Sequence, residues 1–168
     1  LALFAGISLF HLLQFTARKI HSPYIRLSIY TLICASLLLW PLSFVSIYTR
    51  PHTRVAASTW IYANVPAPST IAWEHWDDPL PFAIPPYTPG TFTQIQLPSF
   101  DPDNAEKAQK IQEVLTRSDY LILSSNRAYG ALKRAESRFP LTNRFYRKLF
   151  SGALRYDLVA QFTSRPML

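Results

Sequence analysis

The chain has 168 residues, of which 49% are hydrophobic and 16% charged, with a net charge of +7. Only three charged side chains lie in the first 48 residues, and the other 24 lie in residues 49–168. This division excludes a single water-soluble domain and predicts a membrane segment followed by a hydrated domain. The one cysteine, Cys34, lies in the apolar segment, which excludes a disulfide within residues 49–168.

Residues 1–17 form the first apolar run, and we predict that they are the end of a truncated transmembrane helix. A signal peptide is the alternative, but no basic region precedes the run and no small-residue cleavage site follows it. The chain starts abruptly and without Met. We therefore expect it to be the C-terminal piece of a larger integral membrane protein.

A second apolar run predicts a transmembrane helix over residues 27–48, since these 22 residues carry no charge and about 20 are enough to cross the bilayer. A buried core helix of a soluble protein is the alternative reading. Between the two runs, residues 18–26 form a short loop containing Arg18, Lys19 and Arg26. Because basic residues in short loops favour the cytoplasm, we expect a multi-pass protein of the cell membrane with residues 49–168 as an extracytoplasmic domain.

The pattern of residues 49–168 predicts alternating helices and strands. Helices are expected over 51–64, 104–117 and 140–151, and strands over 70–74, 91–97, 120–123 and 158–162. Asp103 with Glu106 resembles a capping box at the start of the second helix. The expected core residues of the sheet are Ile71, Ile95, Leu121, Ile122, Leu123 and Val159. The predicted fold class is therefore α/β: two N-terminal transmembrane helices followed by a small, mostly parallel α/β sandwich of about four strands.

One group of candidate ligand-binding residues follows the strand at 70–74 and comprises Glu74, His75, Asp77 and Asp78. Carboxylates and an imidazole at the carboxyl end of a parallel strand suit a divalent cation or a general base. The alternative is a structural turn in which Asp77 and Asp78 cap the backbone and Glu74 pairs with an arginine. No known metal motif has this spacing, so no cofactor is expected within the chain and a divalent cation stays an open alternative.

A second group of candidates follows the strand at 120–123 and comprises Ser125, Asn126, Arg127 and Tyr129. Hydroxyl, amide and guanidinium groups suit a phosphate or a sugar, and the alternative is a loop whose side chains bond to the backbone. If the two strands are parallel, both groups lie at the same edge of the sheet. We expect Arg127 to pair there with the carboxylates, as a scaffold or around an open groove.

Several segments, in this order along the chain, resemble the C-terminal part of the YYY family of polytopic membrane proteins. They are Arg50-Pro51-His52-Thr53-Arg54, Trp60-Ile61, Glu74-His75-Trp76-Asp77-Asp78-Pro79-Leu80-Pro81, Asp119-Tyr120 and Ser124-Ser125-Asn126-Arg127-Ala128-Tyr129-Gly130. That family is similar to the GT-C superfamily, whose members transfer sugars from polyprenyl-phosphate carriers outside the membrane. Catalysis there resembles a scheme with acidic residues of the first outer loop as base, a loop that residues 1–168 do not include. The resemblance therefore implies no catalytic residue in this chain.

Two functions remain open. The resemblance implies a fragment of a membrane glycosyltransferase whose catalytic loop lies upstream and whose outer domain assists acceptor or carrier binding. The alternative is a non-catalytic membrane protein whose outer domain binds a partner or an envelope glycan. The expected partners are the lipid bilayer, a polyprenyl-phosphate sugar and a glycan or protein acceptor. A basic domain tethered to a membrane is expected near acidic lipids rather than on nucleic acid.

Overall fold

The computed structural model describes residues 2–167, which form two compact units that separate after Arg50 and after Thr163. The first unit contains α1 (Ala2–Lys19), α2 (Pro23–Val45) and a 3-10 turn (Ser46–Thr49). The loop between α1 and α2 is shorter than the predicted 18–26, because Pro23 suits the first turn of a helix and α2 starts there. Arg26 consequently lies inside α2.

Among the described residues, one helical stretch is long and apolar enough to cross a membrane. It begins at Pro23, and α2 is its first part. The large apolar side chains of α2, such as Leu32, Leu37 and Leu42, are exposed in the chain by itself. This exposure differs from the buried apolar stripe of a soluble core helix. The span predicted for residues 1–17 is not confirmed, since the corresponding helix, α1, contains His11 and Gln14 and ends in two basic residues.

The second unit is a mixed α/β domain. Its elements are α3 (Thr53–Asn64), β1 (Thr70–Glu74), a 3-10 turn (Pro89–Thr91), β2 (Thr93–Leu97), α4 (Ala105–Arg117), β3 (Tyr120–Ile122), α5 (Arg127–Leu132), a 3-10 turn (Lys133–Ala135) and α6 (Pro140–Phe150). The sheet has the order β2-β1-β3, and both pairs of strands are parallel. The predicted parallel α/β fold is confirmed at this level.

The central strand β1 contributes to two apolar clusters, because successive residues of a strand point to opposite faces. Ile71 is fully buried on one face with Ile61 of α3, Leu80 and Phe92. Ala72 is fully buried on the other face, where the helices α4, α5 and α6 pack against the sheet. Their buried core residues on that face are Ile111, Val114, Ala128, Leu132, Phe145 and Tyr146.

Three details differ from the sequence-based prediction. Residues 158–162 form no strand, and Leu158 and Val159 are exposed. Of the remaining predicted core residues, Ile71 is fully buried, whereas Ile95, Leu121, Ile122 and Leu123 are half-buried because β2 and β3 are the edge strands. The third difference concerns the start of α3, which begins at Thr53 after His52 rather than at Pro51.

The start of α4 also differs from the prediction. Its N-cap is Asn104, whose side chain accepts a hydrogen bond from the amide of Lys107 at 2.8 Å. Asp103 instead accepts hydrogen bonds from the amides of Leu141 and Thr142, at 2.6 and 3.1 Å, in the first turn of α6. One carboxylate therefore ties the beginning of α4 to the beginning of α6.

Candidate functional site at the carboxyl edge of the sheet

The two groups of predicted site residues meet, because β1 and β3 are adjacent and parallel. The hydroxyl of Ser125 donates a hydrogen bond to Asp77 at 2.7 Å, across 48 positions of sequence. The guanidinium of Arg127 donates to the backbone carbonyl of Trp76 at 3.0 Å. The predicted juxtaposition of the two segments is therefore observed, whereas ligand binding there stays a prediction.

The sequence predicts that Arg127 pairs with the carboxylates. In the structure the arginine that pairs with them is Arg54 of α3. Its guanidinium lies 3.5 Å from Asp77 and also contacts Asp78. The side chain of Asp77 is 4% exposed and that of Asp78 is 67% exposed. Asp77 is thus held on two sides, by Arg54 and Ser125, with little surface left for a ligand. We call the contacts among Arg54, Asp77, Ser125, Arg127 and the Trp76 carbonyl the motif junction.

The motif junction fixes an exposed tryptophan. Trp76 has a φ of +71°, a left-handed conformation that is uncommon for a bulky residue and costs conformational energy. Its indole is 65% exposed and stacks on Phe100, with ring centroids 5.2 Å apart and planes inclined by 22°. Arg127 holds the carbonyl of this residue, and the flanking Asp77 is fixed as described above. The exposed ring is therefore rigidly presented beside the carboxyl end of β1.

His75 lies on the other side of the same edge and lines a groove of about 280 Å³. Its Nδ1 is 3.6 Å from Asp101, and its ring meets the Trp76 indole edge to face at 5.6 Å. The groove is lined by His75, Ile95, Gln96, Pro98, Asp101, Lys110, Glu113 and Val114. An amide, an ammonium and two carboxylates over an apolar floor can hydrogen-bond a small polar ligand.

Glu74 points into the protein and not into the groove. It is fully buried, its Oε1 accepts a hydrogen bond from the Tyr146 hydroxyl at 2.5 Å, and its Oε2 has no partner among the described residues. The arginine partner expected for Glu74 is therefore replaced by a tyrosine. The pKa of Glu74 is raised to about 7: burial is the main cause, the hydrogen bond from Tyr146 opposes it, and the charge of Asp77 adds to it. Burial, together with the neighbouring Glu74 carboxylate, also raises the pKa of Tyr146.

A buried polar network continues from Tyr146 away from the edge. The Tyr146 hydroxyl also lies 3.1 Å from the hydroxyl of Ser99, whose carbonyl accepts a hydrogen bond from the Lys107 ammonium at 3.0 Å. Lys107 is 2% exposed and also donates to the Asp101 carbonyl, to Asp103 and to the Thr142 hydroxyl, at 2.6, 2.9 and 2.5 Å. Burial acts to raise the pKa of Asp103, but hydrogen bonds from Lys107 and Thr142 outweigh it and lower the pKa.

The remaining predicted residues contribute less directly. Asn126 is exposed and precedes α5, where its carbonyl accepts the amide of Gly130 at 2.8 Å. Tyr129 packs on Tyr146 and Phe150, with centroid distances of 6.0 and 5.2 Å. Tyr129 therefore supports the aromatic cluster behind Glu74 rather than reaching the carboxylates.

Four residues outside the predicted set shape this edge: Arg54, Trp76, Phe100 and Tyr146. Trp76 stands between two of the candidates, but its left-handed backbone has no signal in the sequence. Tyr146 falls one residue after Phe145 on the predicted helix 140–151, so the pattern marks it only as a helix residue. Arg54 and Phe100 come from segments distant in sequence, and only the fold brings them to the edge.

Within residues 2–167, no three His, Cys, Asp or Glu side chains are arranged to hold a metal ion. No family model matches the chain, and comparison with curated proteins and with solved structures gives no match either. The chemistry of the edge is therefore what bears on function. It combines an exposed flat aromatic ring, a polar groove and an arginine at the end of a parallel sheet, where ligands of open α/β folds bind.

Proposed function

We propose that residues 49–168 form the extracytoplasmic saccharide-binding domain of a multi-pass membrane protein resembling the GT-C transferases, and that this domain assists binding of the acceptor or of the carrier-linked sugar. The observation that carries the proposal is Trp76. A large indole, 65% exposed and held at a φ of +71°, lies beside a polar groove at the carboxyl edge of the sheet.

A sugar ring matches this combination chemically. Its C–H groups carry partial positive charge and suit the electron-rich face of an indole. Its hydroxyl groups both donate and accept hydrogen bonds. In the groove the carboxylates of Asp101 and Glu113 can accept, the ammonium of Lys110 can donate, and the amide of Gln96 can do both. The groove volume of about 280 Å³ lies near the lower limit for small-molecule sites, which suits a single sugar unit.

Arg127 supplies a charge for a carrier phosphate. One of its guanidinium nitrogens is used on the Trp76 carbonyl, and the residue is exposed. An arginine can bind a phosphate with its remaining donors. In this proposal the motif junction is a scaffold, and the ligand contacts the indole, the groove and the free side of Arg127.

The test is saccharide binding to the purified chain in lipid nanodiscs. The probes are an array of neutral oligosaccharides and a polyprenyl-phosphate hexose included in the nanodisc lipid. Trp76→Ala should weaken binding of the sugar probe by about tenfold or more, the effect of losing a principal contact. The matched control is Tyr87→Ala, since Tyr87 is another exposed ring of this unit that is stacked on a second aromatic, Tyr62, at 4.9 Å. Equal losses in both variants, or no binding by the parent chain, would overturn the proposal.

A second measurement distinguishes the two candidate functions, a transferase and a non-catalytic binding protein. In the full-length protein, Trp76→Ala should reduce sugar transfer in isolated membranes while the amount of membrane-inserted protein stays constant. Retained binding by the parent chain together with no transfer activity in the full-length protein would favour the binder.

The extracytoplasmic orientation is tested separately, by cysteine labelling. Ser137 is exposed in the domain, and Cys34→Ser removes the native thiol. Ser137→Cys in that background should react with an impermeant maleimide on intact cells. Labelling that requires permeabilised cells would place the domain in the cytoplasm.

A further inference from the structure

The helical segment from α5 to α6 carries a strong excess of positive charge. Residues 127–156 contain eight Arg or Lys and a single acidic residue, Glu136. All eight cations are exposed. We call six of them the basic face: Lys133, Arg134, Arg138, Arg144, Arg147 and Lys148.

The elements that carry the basic face pack against each other. The side-chain amide of Asn143 in α6 donates a hydrogen bond to the backbone carbonyl of Leu132 at 2.9 Å, which holds α6 against the end of α5. An ion pair between Arg147 and Glu136 joins α6 to the residues following the 3-10 turn. Arg144 and Lys148 are four residues apart and therefore lie on the same side of α6.

The exposed cations of α4 differ from those of the basic face because each has a carboxylate partner. On α4, Lys110 pairs with Glu106 at 2.8 Å and Arg117 pairs with Glu113 at 2.9 Å. Among the described residues, Arg147 is the single cation of the basic face within ion-pair distance of a carboxylate. Like charges gathered without counter-charges repel each other, so an external anionic partner would stabilise this surface.

We propose that the basic face docks on the headgroup phosphates of anionic phospholipids. The chain contains a helix apolar enough to cross a membrane, and a tether to the bilayer raises the effective concentration of headgroups around the domain. Phe150, 61% exposed at the end of α6, provides an aromatic side chain of the kind that enters the interfacial layer beside lysine and arginine. This inference does not depend on saccharide binding at Trp76.

The experiment measures the proximity of two fluorescent labels to nitroxide-labelled lipid headgroups, with the chain in nanodiscs and in the Cys34→Ser background. One label is attached at Ser151→Cys, beside the basic face, and the other at Gln112→Cys on the exposed side of α4. The lipid is either phosphatidylcholine alone or phosphatidylcholine mixed with phosphatidylglycerol. We expect strong quenching at position 151 in the anionic lipid only, decreasing as salt is added, and weak quenching at position 112 in both lipids.

Two charge variants sharpen the test. Arg144→Gln with Lys148→Gln should lower the docking equilibrium constant by about 25-fold, since each basic residue near an anionic surface contributes about fivefold. Lys110→Gln with Arg117→Gln removes the same charge from α4 and should leave quenching at position 151 unchanged. Both pairs are exposed, and matching thermal melting curves will verify that the variants are folded. Equal quenching at position 151 in the two lipids, or equal losses in the two double variants, would overturn the proposal.

Discussion

Two clusters of polar residues lie near the carboxyl end of β1, and they differ mainly in their access to water. The motif junction, built around Asp77, Arg54 and Ser125, reaches the surface. The buried network runs from Glu74 through Tyr146 and Ser99 to Lys107 and Asp103, and all five side chains are shielded from solvent. Because an unpaired polar group in the interior is far more costly than one at the surface, similar hydrogen bonds should have very different energetic weight in the two places.

The largest difference is expected at Lys107. Its ammonium has four acceptors within 3.0 Å, including the carboxylate of Asp103. Lys107→Met keeps much of the side-chain length but leaves the shielded carboxylate of Asp103, the buried carbonyl of Ser99 and the partly buried carbonyl of Asp101 without this donor. We expect a loss of about 3–5 kcal/mol in the free energy of unfolding, as for other broken buried ion pairs. Urea unfolding of the chain in detergent micelles, followed by tryptophan fluorescence, measures it.

The control for Lys107 lies one turn further along the same helix. Lys110 is 52% exposed and pairs with Glu106 on the surface. Lys110→Met should change the free energy of unfolding by less than about 1 kcal/mol. Similar losses for the two lysine variants would mean that burial does not distinguish the two kinds of ion pair.

The contrast at Lys107 also indicates what the sequence could and could not reveal. The helix over residues 104–117 was predicted, and its buried residue Ile111 lies one turn after position 107 on the same side of the helix. A lysine at position 107 would ordinarily be predicted to be exposed to solvent. Its acceptors come from the segment before α4 and from Thr142 of α6, so only the fold assembles them. The same holds for Asp103, which was predicted to cap α4 and instead caps α6.

The sheet itself was predictable from local composition, since apolar residues mark β1 and β3, and the Phe, Ile and Thr content of residues 91–97 marks β2. The run from Leu158 to Phe162 is also apolar, but among the described residues it pairs with no strand, so composition alone did not decide its conformation. The meeting of the two site segments followed from parallel strand order. The ion pair between Arg54 and the carboxylates could not be predicted, because Arg54 lies on α3 and the sequence does not specify how that helix packs.

The second prediction concerns Glu74 and pH. Its folded-state pKa of about 7 is above the usual value of 4.5, so the folded protein binds a proton more tightly than the unfolded chain. The free energy of unfolding should therefore fall as the pH rises from about 4.5 to about 7, by about 3 kcal/mol in all, and this residue should contribute no further change above that range.

Glu74→Gln tests this pH dependence, since an amide of nearly the same shape does not titrate. Relative to the parent chain, the free energy of unfolding of the variant should rise by about 2.5 kcal/mol between pH 5 and pH 8, whatever the difference between the two proteins at any one pH. Tyr146→Phe serves as the companion variant: it removes the hydrogen bond that lowers the pKa of Glu74, so the loss of stability should continue to a higher pH than in the parent chain. A parent chain with flat stability over this range would show that Glu74 is ionised when folded.

A smaller effect is expected at the better shielded carboxylate of the motif junction. Asp77→Asn keeps a hydrogen-bond acceptor for Ser125 but removes the charge opposite Arg54, which lies 3.5 Å away. We expect a loss of about 1–2 kcal/mol, between the buried and surface cases. If Asp77 also fixes the following turn, the saccharide affinity should fall with it. Ser125→Ala is the control that leaves the charge pair intact.

The smallest effect is expected at Asp78, which contacts the same arginine as Asp77. Its side chain is 67% exposed, so water and salt already screen its charge, and Arg54 keeps Asp77 as a partner when Asp78 is changed. Asp78→Asn should alter the free energy of unfolding by less than about 0.5 kcal/mol, and this small difference should vanish in high salt. The paired measurement of Asp77→Asn and Asp78→Asn in one buffer isolates exposure as the variable, because both carboxylates contact Arg54. If Asp78→Asn lowered the free energy of unfolding as much as Asp77→Asn does, the stability of the motif junction would depend on the total negative charge around Arg54. Both carboxylates would then contribute to the scaffold, whatever their exposure.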